Sequence, residues 1–163
     1  MMTMNRRLLL LGAAPLLLGA ASSKPQAGIP VPLQSQPATP LDALARGLVA
    51  DDLAAAAARG DRPLLLIGTA PLGGDRPALF VQLQSPRECG SAGCTTSVYA
   101  WVKGGWKRVL DGTTGRLAVD RKRTRGMADL LANDERYVWT GSAYRGNRPA
   151  PALDLRPRRP RHS

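Results

Sequence analysis

Few residues in this chain could support catalysis or bind a metal ion. The sequence contains one histidine, His162, and two cysteines, Cys89 and Cys94. Ser-His-Asp and Cys-His sites need a histidine beside the nucleophile, and His162 lies in a Pro- and Arg-rich segment outside the predicted domain. Two cysteines alone do not complete a structural zinc site, and no phosphate loop or dinucleotide fingerprint is present. We therefore expect no metal and no cofactor.

The cysteines indicate a disulfide. Four residues separate them, with Gly90 and Gly93 at the two ends of the intervening loop. Thioredoxin-like redox sites have a spacing of two residues instead. The glycines allow the loop to turn tightly, which favours a structural bridge between Cys89 and Cys94. The alternative is a strained, redox-active bridge.

Carboxylates are the remaining candidates for catalysis. A pair of them could act as acid and base, as in glycosidases. No spacing singles out a pair, and Asp129 is expected to cap a turn through its side chain. The candidates are Asp111, Asp120, Asp129, Asp134 and Glu135.

An aromatic hairpin is the best candidate for a binding site. Residues 95–103 and 106–111 have strong β-propensity and flank Gly104 and Gly105, which predicts a hairpin with a two-residue loop. In that register one face carries aromatic and basic residues, which can stack on a ligand and attract an anion. The alternative is that this face packs beneath a helix. The predicted face consists of Tyr99, Trp101, Lys103, Trp106, Arg108 and Leu110.

The first 21 residues have the layout of a cleavable export signal. Arg6 and Arg7 precede an apolar run at residues 8–18, and small residues follow up to Ala21. The run is too short for a typical membrane span. We expect cleavage after Ala21, with Ser22 as the next candidate, and a periplasmic or extracellular protein. Twin-arginine and ordinary export both fit, and an uncleaved anchor or a buried helix is the alternative.

The chain is strongly basic. It carries 23 Lys and Arg against 12 Asp and Glu. Loss of Arg6 and Arg7 with the signal leaves 21 against 12, a net charge of +9. Such a charge suits anionic envelope polymers, membrane surfaces or nucleic acid, although an Arg-rich composition also arises from a GC-rich genome. We expect an envelope protein or an anionic polymer as partner, no specific nucleic acid and no membrane span in the mature chain.

The remaining pattern predicts one α+β domain at residues 40–144. Apolar residues at helical spacing indicate a helix or helix pair over residues 40–59, interrupted at Asp51 and Asp52. An antiparallel sheet of about six strands follows, drawn from seven candidate segments at residues 64–67, 78–84, 95–103, 106–111, 117–119, 127–132 and 136–139. Residues 22–39 are expected to form a disordered lead, and residues 145–163 a disordered basic tail.

Several motifs resemble those of small exported proteobacterial proteins of unknown function. These proteins combine a C-G-x-x-G-C loop, a tryptophan hairpin, a Gly-x-x-Asp-Leu turn and a closing Trp-x-Gly-x-x-Tyr. The resemblance implies an exported β-domain and no particular activity. The aromatic residues of the closing motif, Trp139 and Tyr144, complete the predicted binding set. The matching positions are Cys89, Gly90, Gly93, Cys94, Trp106, Gly126, Asp129, Leu130, Trp139, Gly141 and Tyr144.

These observations favour an exported binding or accessory protein without catalytic activity. One alternative is a carboxylate-dependent hydrolase of the envelope. Another is an inhibitor of a cell-wall-degrading enzyme, since periplasmic lysozyme inhibitors share export, small size and a cysteine-stapled sheet. The last alternative is a purely structural component of the envelope.

Overall fold

The computed structural model describes residues 28–132 and 135–146. The predicted export signal and residues 147–163 of the predicted tail lie outside the described residues. The described part forms two helices, α1 (Pro40–Leu48) and α2 (Ala50–Ala58). Its strands are β1 (Ile29–Pro30), β2 (Leu64–Ala70), β3 (Ala78–Gln84), β4 (Cys89–Gly90), β5 (Gly93–Val102), β6 (Gly105–Thr114), β7 (Leu117–Thr124), β8 (Met127–Ala132), β9 (Glu135–Trp139) and β10 (Tyr144–Gly146).

The helix pair begins and ends where local chemistry favours it. The Thr39 side chain accepts a hydrogen bond from the backbone N–H of Asp42, which caps α1. The break between α1 and α2 falls at Val49, two residues before the predicted interruption. Val49 is buried against the sheet, and its backbone leaves the helical region at φ −111°. Gly60, at φ +71°, follows α2 and turns the chain toward β2.

The strands form two antiparallel sheets. The first has the order β1-β7-β8-β9-β10. In the second, β2 pairs with β3 and β3 with β5. One end of β5 then pairs with the short strand β4, and the rest of β5 pairs with β6.

The elements stack in three layers. Buried residues of both sheets, including Phe80, Val98 and Leu130, form the main core cluster. A second cluster joins Ala45 and Val49 of the helical segment to the other face of the second sheet. The central strand β3 therefore buries both faces, which explains its unbroken burial from Ala78 to Gln82.

The segment before the helices closes one side of the sheet pair. Ile29 and Pro30 pair with β7, and the Val31 N–H donates to Leu117 O. Gln34 then exchanges two backbone hydrogen bonds with Ile67 of β2. We call residues 29–34 the strap. The predicted disordered lead is therefore wrong for residues 28–39, because backbone pairing at two sheet edges holds a segment that has no apolar periodicity.

The α+β class is confirmed, while the finer arrangement differs from the prediction. The helices are not the first elements, because β1 precedes them, and the strands belong to two five-stranded sheets instead of one sheet of about six. The domain also continues past residue 144, since Arg145 and Gly146 pair with β9. No helix within residues 28–132 and 135–146 has the length and apolarity to cross a bilayer.

Candidate functional site

The tryptophan hairpin exists, with its loop one residue earlier than predicted. Val102 pairs with Gly105, so Lys103 and Gly104 form the two-residue loop. Trp101 then faces Trp106, and Tyr99 faces Arg108. These four residues share one sheet face, as the sequence predicted.

A bulge in β6 changes the membership of that face. Tyr99 pairs with Arg108 while Val98 pairs with Leu110, so Val109 is the extra residue. Leu110 consequently joins Val98 in the main core, and the prediction that it lies on the aromatic face is wrong. Lys103, which was predicted on this face, lies in the loop instead.

The inner half of the aromatic face packs beneath the helices. Tyr99 is 3% exposed and belongs to the cluster under α1 and α2. Arg108 Nε donates to Tyr99 Oη at 2.8 Å, and its guanidinium also pairs with Asp52 of α2. Burial raises the pKa of Tyr99, which outweighs the opposing effect of Arg108. Tyr99 and Arg108 therefore fix the helices to the sheet, in agreement with the alternative considered for this face.

The outer half of the face is a half-buried aromatic pair at the hairpin tip. The rings of Trp101 and Trp106 meet edge to face, with centroids 5.8 Å apart. The Arg76 guanidinium carbon lies 4.4 Å from the centroid of the Trp101 ring. Trp106 also packs against the cluster under the helices. A cation and two aromatic rings thus occur together at the tip, although the sequence analysis did not identify Arg76 as part of the site.

Two neighbouring hairpin turns place cations at left-handed backbone positions. Lys103 and Gly104 have φ of 52° and 79°, and Arg125 and Gly126, between β7 and β8, have φ of 51° and 85°. Positive φ at both central residues is the pattern of a type I′ turn, in which Asn, Asp or Gly normally occupies the first position. Lys and Arg have no local hydrogen bond that compensates for this conformation. Each turn therefore presents a cation at a cost in stability.

Four loops bring these cations to one end of the sheet pair. A Cβ built on Gly73 would lie 2.5 Å from Arg123 Nη1 and from Gly126 O, so the loop at residues 71–77 contacts the β7–β8 turn. Gly74 lies beside Trp101 O, and Arg125 Nη1 donates to Thr140 O. The loops are residues 71–77, 103–104, 125–126 and 140–143.

We call this region the basic end. It is defined by Arg76, Trp101, Lys103, Trp106, Arg123 and Arg125. Within its four loops, all of which the structure describes, Asp75 is the single acidic residue. The basic end thus combines net positive charge with partly exposed indole rings.

The two aromatic residues of the closing motif are part of the core. Trp139 and Tyr144 are 6% and 4% exposed, and their rings contact each other at 5.3 Å. Tyr144 Oη donates to Ala128 O at 2.7 Å, and burial raises the pKa of the phenol well above its usual value. The sequence predicted these residues to bind a ligand, but alternation along β9 and β10 points both rings between the sheets, where they form part of the core.

The carboxylates considered for catalysis are divided among separate sites. Asp111 lines a polar cleft of about 320 Å³ together with Asp52 and Glu88. Arginines bind all three: Arg108 contacts Asp52 and Asp111, and Arg59 contacts Glu88 at 2.5 Å. This arrangement holds α2 against the sheet. Asp134 lies outside the described residues.

A second carboxylate group lies on β7 and β8. Asp129 is fully buried in β8 and Arg136 Nη1 is 3.2 Å from its Oδ2, so the prediction that it caps a turn is wrong. The same nitrogen donates to Asp120. Burial acts to raise the pKa of Asp120, but hydrogen bonds from the Lys122 backbone and Arg136 outweigh it and lower the pKa. Glu135 is separate and accepts a hydrogen bond from Tyr137.

The disulfide between Cys89 and Cys94 is confirmed. It joins directly opposed residues of β4 and β5, where Gly90 faces Gly93. Gly93 has φ +100°, which explains the need for glycine at the turn.

An inter-sheet cleft opens beside the disulfide, at the other end of β5 from the basic end. Its volume is about 730 Å³, and its walls come from the strap, β2, β3 and the β6–β7 connection. Apolar side chains dominate the lining, with Gln82, Gln84 and Arg116 as the polar ones. Sequence reasoning missed this cleft, because it treated the strap as disordered. The alternation of Gln82 and Gln84 on one face of β3 was the available signal.

No protein-family model, curated protein or solved structure matches this chain.

Proposed function

We propose that this protein is an exported accessory protein that binds an acidic polysaccharide of the cell envelope through the basic end. The observation that carries the proposal is the pair of hairpin turns with Lys103 and Arg125 in left-handed conformations. Backbone strain of this kind is typically retained at functional positions. Two such turns at one end, each presenting a cation, support a role for that charge.

The chemistry of the basic end suits an acidic glycan. Lys103, Arg123 and Arg125 supply positive charge, while Trp101 and Trp106 supply apolar ring surface for a sugar. Arg76, stacked on Trp101, offers its guanidinium edge to a carboxylate or phosphate. The export signal predicted at residues 1–21 and the net positive charge support an envelope location. We infer no catalytic activity.

The test uses the double variant Lys103→Asn/Arg125→Asn. Asn tolerates the left-handed region better than Lys or Arg, so we expect this variant to be more stable by about 1 kcal/mol in total. Each lost cation weakens binding to a polyanion by about 1 kcal/mol, so affinity for heparin, used as the probe polysaccharide, falls about thirtyfold. Thermal melts and binding titrations at fixed salt measure the two effects.

The matched control is Arg62→Asn/Arg87→Asn, which removes the same charge from exposed loop positions away from the basic end. We expect it to change heparin affinity less than threefold. Equal losses in both double variants would show that binding follows net charge alone and would contradict the proposal. Tighter binding of single-stranded DNA than of heparin would show that the end serves a nucleic acid instead.

A further inference from the structure

The inter-sheet cleft has the features of a small-molecule site. Its volume of about 730 Å³ falls in the range of ligand pockets, roughly 300–1,000 Å³. Leu33, Leu66 and Leu117 provide apolar wall from three different elements. Such a cleft accepts an apolar body and orients it by a few polar groups.

The cleft offers hydrogen-bond donors to a ligand. Gln82 is buried, and its amide is satisfied by Thr96 Oγ1, Cys94 O and Gln84 Nε2. An amide nitrogen carries two hydrogens, so Gln84 Nε2 retains one for a ligand. Arg116 is exposed, and its guanidinium forms no hydrogen bond or ion pair with any residue in the described ranges. Of the described residues, none that lines the cleft is acidic.

We propose that the inter-sheet cleft binds a fatty carboxylate, with its chain between the sheets and its carboxylate at Arg116. Charge complementarity selects an anionic head group, because no described residue of the lining is acidic and the Arg116 guanidinium has no partner among the described residues. The leucine walls select a chain. The site is independent of the basic end. The two lie at opposite ends of the ten-residue strand β5, which places them about 30 Å apart.

The experiment is calorimetric titration of the full exported chain with saturated fatty carboxylates of increasing length, each below its micellar concentration. Every added methylene buried in the cleft should raise the affinity roughly fourfold. The gain should stop at the length that fills the cleft. Burial of apolar surface should also give a negative heat-capacity change.

Variants separate the head group from the chain. Arg116→Gln should weaken binding of the best carboxylate about fivefold, because an exposed ion pair is worth up to about that factor, and should leave the matched alcohol unchanged. Arg62→Gln, at an exposed arginine elsewhere, is the charge-matched control and should change neither. Leu66→Trp should fill the cleft and abolish binding of both ligands. Leu33→Phe is the second blocking variant if Leu66→Trp does not fold.

Three results would overturn the proposal. One is affinity independent of chain length. Another is equal binding of carboxylate and alcohol by the wild type, which would show that the cleft does not recognise an anionic head group. The last is absence of binding to the full chain, including the case in which residues outside the described part fill the cleft.

Discussion

Gly68 of β2 lies directly against the carbonyl oxygen of Pro32 in the strap: a Cβ built on Gly68 would be 2.6 Å from that oxygen. The same Cβ would lie 2.9 Å from Leu33 Cδ2 and Val31 Cγ1. Only glycine therefore allows the strap to cross β2 and close the side of the sheet pair.

Gly68→Ala should destabilise the protein by about 1–3 kcal/mol, because the contact is with backbone and the strap must move to relieve it. Urea unfolding measures the change. Gly47→Ala is the control, since a Cβ there meets nothing within 4 Å and Ala favours helix by up to about 1 kcal/mol. If both variants are equally stable, the strap is not a fixed part of the fold.

Trp139→Ala and Trp106→Ala should lower the free energy of unfolding by different amounts. Trp139 is buried between the sheets, so its truncation should lower the free energy of unfolding by about 3–5 kcal/mol. Trp106 is half-buried at the hairpin tip and should cost about half as much. Thermal melts compare the two. A loss at Trp106 as large as that at Trp139 would assign Trp106 wholly to the core and remove it from the basic end.

Much of the fold could be predicted from local signals. β-Propensity and the Gly104–Gly105 pair located β5 and β6, and apolar residues at helical spacing located the helix pair. The face shared by Tyr99, Trp101, Trp106 and Arg108 was also predicted correctly. The loop has two residues in both the predicted and the observed register, so its displacement by one residue changes the pairs but leaves the same side chains on each face.

The rest depended on long-range pairing. Nothing local in residues 29–34 reveals that two sheet edges hold them, and the bulge at Val109 is visible only in the pairing of β5 with β6. Trp139 and Tyr144 are of residue types that are common in binding sites, and only the sheet pairing shows that they are buried. The basic end likewise required the loop at residues 71–77 to meet the β7–β8 turn, a contact between segments far apart in sequence.

The disulfide should contribute modestly to stability. It closes a loop of four intervening residues, for which the chain-entropy relation gives about 2 kcal/mol. The double variant Cys89→Ala/Cys94→Ala should therefore stay folded, with a lower urea midpoint. Loss of the cooperative transition in this variant would show that the bridge is required for folding.

Stability should fall in acid through Asp120. Its pKa in the folded protein is lowered, since the Lys122 backbone N–H and the Arg136 guanidinium outweigh the effect of burial. The unfolded carboxyl titrates near pH 3.9, so this contribution is complete above about pH 4 and is lost as the pH falls through the lower, folded pKa. Asp120→Asn should thus be less stable than the wild type at pH 7, by about 1–2 kcal/mol, and the difference should narrow as the pH falls below about 4.

Arg136 links Asp120 to the buried Asp129, so its removal should cost more than the loss of Asp120 alone. Arg136→Gln leaves the Asp129 carboxylate buried without its cation, an arrangement that typically costs about 3–5 kcal/mol. Adding Asp129→Asn to Arg136→Gln removes the uncompensated charge and should recover a large part of that loss. Urea unfolding of the two single variants and the double variant at pH 7 completes the cycle. Additive losses in the double variant would mean that Arg136 and Asp129 act independently, and the ion pair would then have no role in holding β8 and β9 together.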